Sequence, residues 1–317
     1  MKLLILSFYF TPDLSAGSFR MQALCDELTK NFPDTEVDLL TTQPNRYSSY
    51  YKLAPASEKF GNINITRFDV GKHSGNMIGQ IISFARYSLY VCKKILGSNY
   101  DIVFATSSRL MTASLGAFVS KKIGANLYLD IRDLFLDTIM SLYSPKLKIL
   151  LFPIFNAIEK YTFSKAIKIN LVSEGFKDYV NKKYPTKELS FFTNGIDDMF
   201  LPLINSIAFE SSSDETKIDR IKVLYAGNIG EGQVIDRIIP DLSESIGNKY
   251  EFIVIGDGSR KQNLKKVINE KKLENIIILD PMPRKELIKY YLNADVLFLH
   301  LDENKAFKKV LPSKIFE

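Results

Sequence analysis

Residues 221–239 read IKVLYAGNIGEGQVIDRII. An apolar run from Ile221 to Tyr225 is followed by Gly227, Gly230 and Gly232, and a helical pattern begins near Val234. A short, continuous apolar run suits a strand buried on both faces of a parallel sheet. Glycines between a strand and a helix let backbone N–H groups approach an anion, and the helix start adds its positive end. The segment is a candidate phosphate loop. Its G-x-x-G-x-G spacing differs from the dinucleotide G-x-G-x-x-G fingerprint, and a merely tight turn is the alternative reading.

The same unit recurs outward from this stretch. Phe252 to Ile255, Ile276 to Leu279 and Val296 to Leu299 read as further strands, the first two followed by the turns Gly256-Asp257-Gly258 and Asp280-Pro281-Met282-Pro283. Upstream, Leu3 to Ser7, Val37 to Leu40, Ile63 to Phe68, Ile102 to Ala105, Leu127 to Ile131 and Ile167 to Val172 read as strands. Ser18 to Phe32, Met77 to Leu96 and Leu110 to Ile123 carry helical periodicity and supply the crossovers that parallel strands require. The expected fold is α/β, with two Rossmann-like doubly wound domains. Residues 1–202 form the first, the Ser-rich stretch 203–219 the linker, and 220–317 the second. Ligands of such domains bind at the carboxyl ends of the strands, so a cleft between the two is the expected site. The last residues, VLPSKIFE from Val310 to Glu317, read as the opening of an amphipathic helix, so the second domain is expected to be incomplete.

Composition narrows the class. The chain has 317 residues, 46% hydrophobic and 25% charged, which suits a globular protein with enough material for two cores. Cys25 and Cys92 lack a CxxC or Cys/His partner, so no metal and no other cofactor is expected. No leader pattern and no run of about 18 apolar residues is present, which predicts a cytoplasmic protein whose membrane contact is peripheral. The net charge of +6 is matched by residues 146–187 alone, where nine lysines face three acids. Lysines alternate there with Leu150, Phe152 and Phe155, a pattern suited to an anionic membrane surface or to a solvated helix pair. No stacking module for nucleic acid is visible, and none is expected as a partner.

On the first domain, Asp130-Ile131-Arg132-Asp133 ends a buried strand. Arg132 suits bidentate contact with a phosphate, and Asp133 suits orientation or deprotonation of a hydroxyl; a salt-bridged loop is the alternative. Ser15, Gly17 and Arg20, after the first strand, are further ligand candidates, on the acceptor side of the transfer that the resemblance below implies. His73 and His300 are isolated in the sequence, and a satisfied edge histidine is the simpler reading of the latter.

Taken in order, these pieces resemble glycosyltransferase family 4, the retaining two-domain (GT-B) sugar transferases, and most nearly its bacterial O-antigen and capsule branch. The likeness rests on Phe10-Thr11-Pro12 with Gly17 and Arg20, Asn194-Gly195-Ile196-Asp197, Ala226 to Gly230, Ile255 to Gly258, Ala294-Asp295-Val296 and Pro312 to Glu317. The resemblance implies transfer from a nucleotide-diphosphate sugar to a polyprenyl-diphosphate-linked saccharide. It implies that Gly227, Asn228, Ile229, Gly230, Gln233 and Lys314 hold the donor diphosphate, and that Gly256, Asp257, Gly258, Met282 and Glu317 hold ribose and base. Asn228 and Gln233 replace a basic pair common in the family. Lys309 replaces the first acid of its E-x7-E pair, which implies either that the sugar is held differently or that Lys309 assists the leaving phosphate. Two rival readings are a nucleotide-sugar epimerase and a non-catalytic nucleotide-binding chain.

Overall fold

The alternating apolar runs form two separate parallel sheets in the computed structural model, which describes residues 1–47, 49, 52–71, 77–107, 110–134, 136, 145–196, 200, 220–304 and 306–316. The expected linker 203–219 lies outside the described residues. The chain divides into two units, Met1–Asn194 with Asn304–Ser313, and Gly195–Glu303 with Lys314–Glu317.

The first unit is built on β1 (Lys2–Leu6), β2 (Glu36–Thr42), β3 (Ser57–Phe60), β4 (Ile63–Phe68), β5 (Ile102–Thr106), β6 (Asn126–Ile131), β7 (Ala166–Leu171) and β8 (Glu188–Ser190). Their order is β3-β4-β2-β1-β5-β6-β7-β8, parallel throughout except for the antiparallel β3. β3 and β8 were not expected, because Ser57–Phe60 and Glu188–Ser190 are short and carry no apolar run. Among the described residues the unit also holds helices α1 (Ala16–Asn31), α2 (Met77–Lys94), α3 (Leu110–Ile123), α4 (Pro145–Lys165) and α5 (Lys177–Lys183). The basic stretch 146–187 holds two helices, α4, which spans 21 residues and accommodates Pro153 in its interior, and α5, with β7 between them.

Strand alternation sends successive side chains to opposite faces. Leu3 and Ile5 pack with Met21 and Cys25 of α1. Leu4 and Leu6 pack in a larger cluster with Tyr87 and Val91 of α2, Ala113 and Ala117 of α3, and Phe163 of α4. Thus α1 covers one face of the sheet, and α2, α3 and α4 form a layer on the other.

The second unit holds β9 (Ile221–Ala226), β10 (Tyr250–Ile255), β11 (Ile276–Leu279) and the two-residue β12 (Val296–Leu297), all parallel in the order β11-β10-β9-β12. Helices α6 (Ile235–Ile246) and α7 (Lys261–Lys271) pack Ile235, Ile239 and Leu264 against Val223, Tyr225 and Phe252. Leu287 and Tyr290 of α8 (Arg284–Leu292) pack against Leu224 and Ala226 on the opposite face. Ser313–Phe316 forms a short 3-10 helix in place of the expected amphipathic turn.

Candidate functional site

The candidate phosphate loop follows β9 directly, and its glycines have a use that local spacing does not show. A Cβ on Gly256 would lie 1.8 Å from the Gly227 carbonyl oxygen, and one on Gly258 would lie 2.4 Å from that of Ile229. The loops after β9 and β10 therefore run backbone against backbone. Gly227 N–H donates to Ile255 O at 2.8 Å and Ile229 N–H to Asp257 O at 2.9 Å. This corrects the expectation that both amides serve a diphosphate: the neighbouring loop takes them. Gly256 N–H is likewise engaged, by Leu279 O at 3.1 Å, and Gly258 N–H by the Asp257 carboxylate at 2.8 Å. Asp257, expected at the ribose or base, shapes its own turn in this way.

Four amides of the loop, those of Asn228, Gly230, Glu231 and Gly232, donate to no acceptor among the described residues. They lie where the chain turns into α6, so donors and the positive helix end share one place. Asn228 and Gln233 bond each other, Nδ2 to Oε1 at 2.8 Å. Val234 enters α6 with a φ of 53°, a conformation that a β-branched residue rarely adopts and that the packed loop imposes.

Lys314 comes to the same loop from the far end of the chain. A Cβ on Gly227 would sit 2.2 Å from Lys314 Cε and 2.4 Å from its Nζ, so a side chain there would push the lysine's flexible end out of its present seat, and the φ of 143° is itself one that favours glycine. The ammonium lies 3.9 Å from the Tyr225 ring centroid, a cation–π contact that anchors it beside the loop. Of the residues expected at the diphosphate, Gly227, Asn228, Gly230, Gln233 and Lys314 are thus grouped together.

Sequence reading missed Lys261. This lysine is buried at the start of α7, and its ammonium donates to Gly256 O at 2.8 Å and to Asp280 at 2.6 Å, fixing the second glycine turn. The hydrogen bond from Lys261, and then its charge, hold the Asp280 carboxyl below the usual carboxylate range. The only signal in the sequence is a lysine three residues past the Gly258 turn. Met282 packs against the Leu224–Ala226–Ile255 cluster and serves the core there. His300 Nδ1 lies 2.9 Å from Gln233 O, satisfied as expected.

In the first unit Asp130 is fully buried at the end of β6. Arg20 donates to it through Nε at 3.1 Å and Nη2 at 2.9 Å, and donates also to the carbonyls of Thr193 and Phe192 at 2.7 and 2.8 Å. Asn170 donates to the same carboxylate at 2.8 Å and accepts Phe192 N–H at 2.7 Å. Arg20 therefore ties segment 192–193 to the sheet. Ser15 caps α1 by accepting from Ser18 N–H, and Gly17 is buried in the first helical turn.

Arg132 and Asp133 follow directly. Arg132 Nη1 is buried and has no hydrogen-bond partner among the described residues, an arrangement that favours an incoming anion. Burial pushes the Asp133 carboxyl up to about 6, with the Arg132 charge opposing the shift. Burial also lowers the Arg132 guanidinium, against the attraction of Asp130 and then Asp133.

Lys309, expected at the leaving phosphate, belongs to the first unit. Its carbonyl accepts from Ser173 Oγ at 2.6 Å, and its ammonium sits over the Tyr179 ring at 5.7 Å. The close approach of Gly175 to the Lys309 backbone, 2.5 Å from a Cβ position to the carbonyl oxygen, seats this segment. Glu317, His73 and Asp197 lie outside the described residues. Among the described residues no cluster of His, Cys, Asp or Glu has the arrangement of a metal site.

Residues 208–307 match the family model described as glycosyl transferases group 1. No curated protein sequence matches the chain. Several solved structures are similar in three dimensions. Sucrose-phosphate synthase from Thermosynechococcus elongatus is 11% identical with a TM-score of 0.65, over 93% of this chain and 74% of that one. WaaG, a glycosyltransferase involved in lipopolysaccharide biosynthesis, is 12% identical with a TM-score of 0.62, over 94% and 75%. UDP-GlcNAc 2-epimerase from Neisseria meningitidis, bound to UDP-GlcNAc, is 13% identical with a TM-score of 0.57, over 94% and 77%. The chain has the fold of the GT-B glycosyltransferases, with a group 1 glycosyl transferase segment spanning most of its second unit.

Proposed function

We propose that this protein is a retaining glycosyltransferase that moves a sugar from a nucleotide-diphosphate donor to a polyprenyl-diphosphate-linked saccharide in surface polysaccharide assembly. The observation that carries the reading is the seat of Lys314 on Gly227, beside four uncommitted amides, in the segment that matches group 1 transferases. As the bond from sugar to phosphate breaks, negative charge gathers on the leaving diphosphate. Fixed N–H donors and an ammonium held in place are suited to stabilise that charge without reorganising. Glu317 takes the ribose hydroxyls in this reading, and Arg132 and Asp133 take the acceptor phosphate and hydroxyl.

Thermal melting with UDP-, GDP-, dTDP- and ADP-sugars tests the donor site. One of them is expected to raise the melting temperature, by the equivalent of about 2.7 kcal/mol at a hundredfold excess over its Kd. Lys314→Ala should weaken that nucleotide roughly 10- to 100-fold, the scale of a lost charge-assisted hydrogen bond. Absence of a shift with every nucleotide would sink the reading.

An epimerase is the second reading, favoured by the similarity to the UDP-GlcNAc 2-epimerase. It predicts inversion at a sugar carbon without any acceptor, visible by NMR, whereas a transferase releases the nucleotide only as sugar is transferred or hydrolysed.

Asp133 gives a pH test. With a folded value of about 6 against ~3.9 unfolded, the native state binds the proton more tightly. Its contribution to stability therefore falls as pH rises from about 4 to about 6 and stays low above that. Asp133→Asn should raise the melting temperature at pH 7.5 and lose this advantage below about pH 4. If the carboxylate engages the acceptor hydroxyl, transfer by the unaltered protein should decline as pH drops through about 6. An Asp133→Asn variant with unchanged melting at both pH values would contradict the burial argument.

A further inference from the structure

Strand β12 ends in a segment that runs along the phosphate loop and brings a histidine to it. His300 Nδ1 lies 2.9 Å from Gln233 O, and Asp302 N–H donates to Gly232 O at 2.9 Å. A carbonyl oxygen only accepts, so Nδ1 carries the proton and the neutral ring keeps its lone pair on Nε2. Nε2 has no hydrogen-bond partner among the described residues. The ring lies parallel to that of Phe298, 5° between planes at 6.5 Å, and Phe298 packs in the core of the second unit with its N–H on Leu224 O at 2.8 Å. Core and loop together fix the imidazole beside residue 232, whose amide is one of the four that donate to no acceptor among the described residues.

A diphosphate at this loop would otherwise meet little positive charge. From Gly227 to Val234 the one charged residue is an acid, Glu231, and the Asn228–Gln233 amide pair is neutral. Arg260 pairs with Glu231 and reaches Asp236 of α6 at 3.6 Å. Lys314 adds one cation over the Tyr225 ring. Lys314 and Arg260 against Glu231 and Asp236 leave no net charge, and the histidine's own segment adds two acids, Asp302 and Glu303. A nucleotide sugar brings two negative charges to this balance.

We propose that His300 is a further donor-binding residue: protonation at Nε2 adds a positive charge beside the diphosphate, while Nδ1–H keeps the ring on Gln233. The inference rests on the donor reading of this loop and adds a titrating group to that same site. Charge on the ring favours the anion, and by linkage the anion favours the proton. Donor binding therefore takes up protons and tightens as pH falls. An intact nucleotide sugar suits the test, because its diphosphate is substituted at both ends and keeps its charge. A free nucleoside diphosphate ends in a phosphate that itself titrates near about pH 6.

The test is calorimetry of the full chain with UDP-, GDP-, dTDP- and ADP-glucose from about pH 8.5 down to about pH 5.5, the interval in which an imidazole changes charge. The affinity of the sugar that binds is expected to rise about three- to tenfold over that fall, the scale of one unit charge near a partly screened anion. At about pH 7, buffers of different ionisation enthalpy should report uptake of a fraction of one proton. His300→Asn still offers an amide N–H to Gln233 O but cannot titrate, so its affinity should not rise on acidification and its proton uptake should vanish. Lys314→Ala should weaken binding at every pH and keep the rise. Asp133→Asn should keep it too, since that carboxyl, at about 6, belongs to the first unit. Where His300→Asn fails to fold, proton uptake by the unaltered protein and its loss in His300→Gln decide. Affinity independent of pH, no proton uptake, or a full rise in the histidine variants overturns the proposal and leaves the donor site standing. If none of the four sugars binds at any pH, the donor reading falls and this inference with it.

Discussion

Arg20→Ala is expected to destabilise the first unit by about 3 to 5 kcal/mol, because it leaves a fully buried carboxylate without its cation. Four of the five guanidinium donors are placed on protein acceptors, two on Asp130 and two on the carbonyls of residues 192 and 193. Asn170 and Thr106 still donate to Asp130 in the variant, at 2.8 and 3.2 Å, but neither supplies positive charge. Chemical denaturation measures the loss. The double variant Arg20→Ala/Asp130→Asn should recover part of it, since removing the acid removes the uncompensated charge, and a double-mutant cycle gives the coupling. Additive losses in that cycle would show that the pair is not a unit. The same network tethers segment 192–193, so proteolysis near residue 194 should quicken in the single variant.

Gly256→Ala carries the second large effect. The new methyl would meet the Gly227 carbonyl oxygen at 1.8 Å, and that atom is backbone, which cannot rotate away. The two loops must separate, at the cost of the Gly227–Ile255 and Ile229–Asp257 hydrogen bonds at about 1 kcal/mol each. Strain from the overpacking adds about 1 to 3 kcal/mol. A loss of about 3 to 5 kcal/mol in the second unit is expected, with donor affinity falling in parallel because the free amides move with their loop. Gly195→Ala, where a Cβ meets nothing within 4 Å, is the matched control. Equal stability of the two variants would refute the account of paired loops.

Much of the fold was legible because parallel strands announce themselves locally. Ile276–Leu279 and Ile63–Phe68 are apolar or alternate cleanly, and their limits agree with the structure residue for residue. β3 and β8 escaped because an edge strand is held by its neighbour's hydrogen bonds and needs no apolar run. The glycine loop was recognised as unusual, but its amides were assigned to a ligand when two of them serve the loop after β10. Glycine spacing reports that backbone approaches something closely and is silent on what approaches. Lys261 escaped for a related reason: a buried lysine looks like a solvated one until its partners, Gly256 and Asp280, are placed around it.

By itself the sequence determined the α/β alternation, the position of the glycine turns after the strands, and a basic excess over residues 146–187, because each depends on neighbours a few residues apart. Only the tertiary structure decided what those features do. Arg20 meets Asp130 and Thr193 across 110 and 173 residues, Lys314 folds back onto Gly227, and α2 and α3 join α4 in one layer. Periodicity reports which face a residue presents. Which partner waits on that face depends on how the sheets bring distant segments together, and short-range pattern carries no record of it.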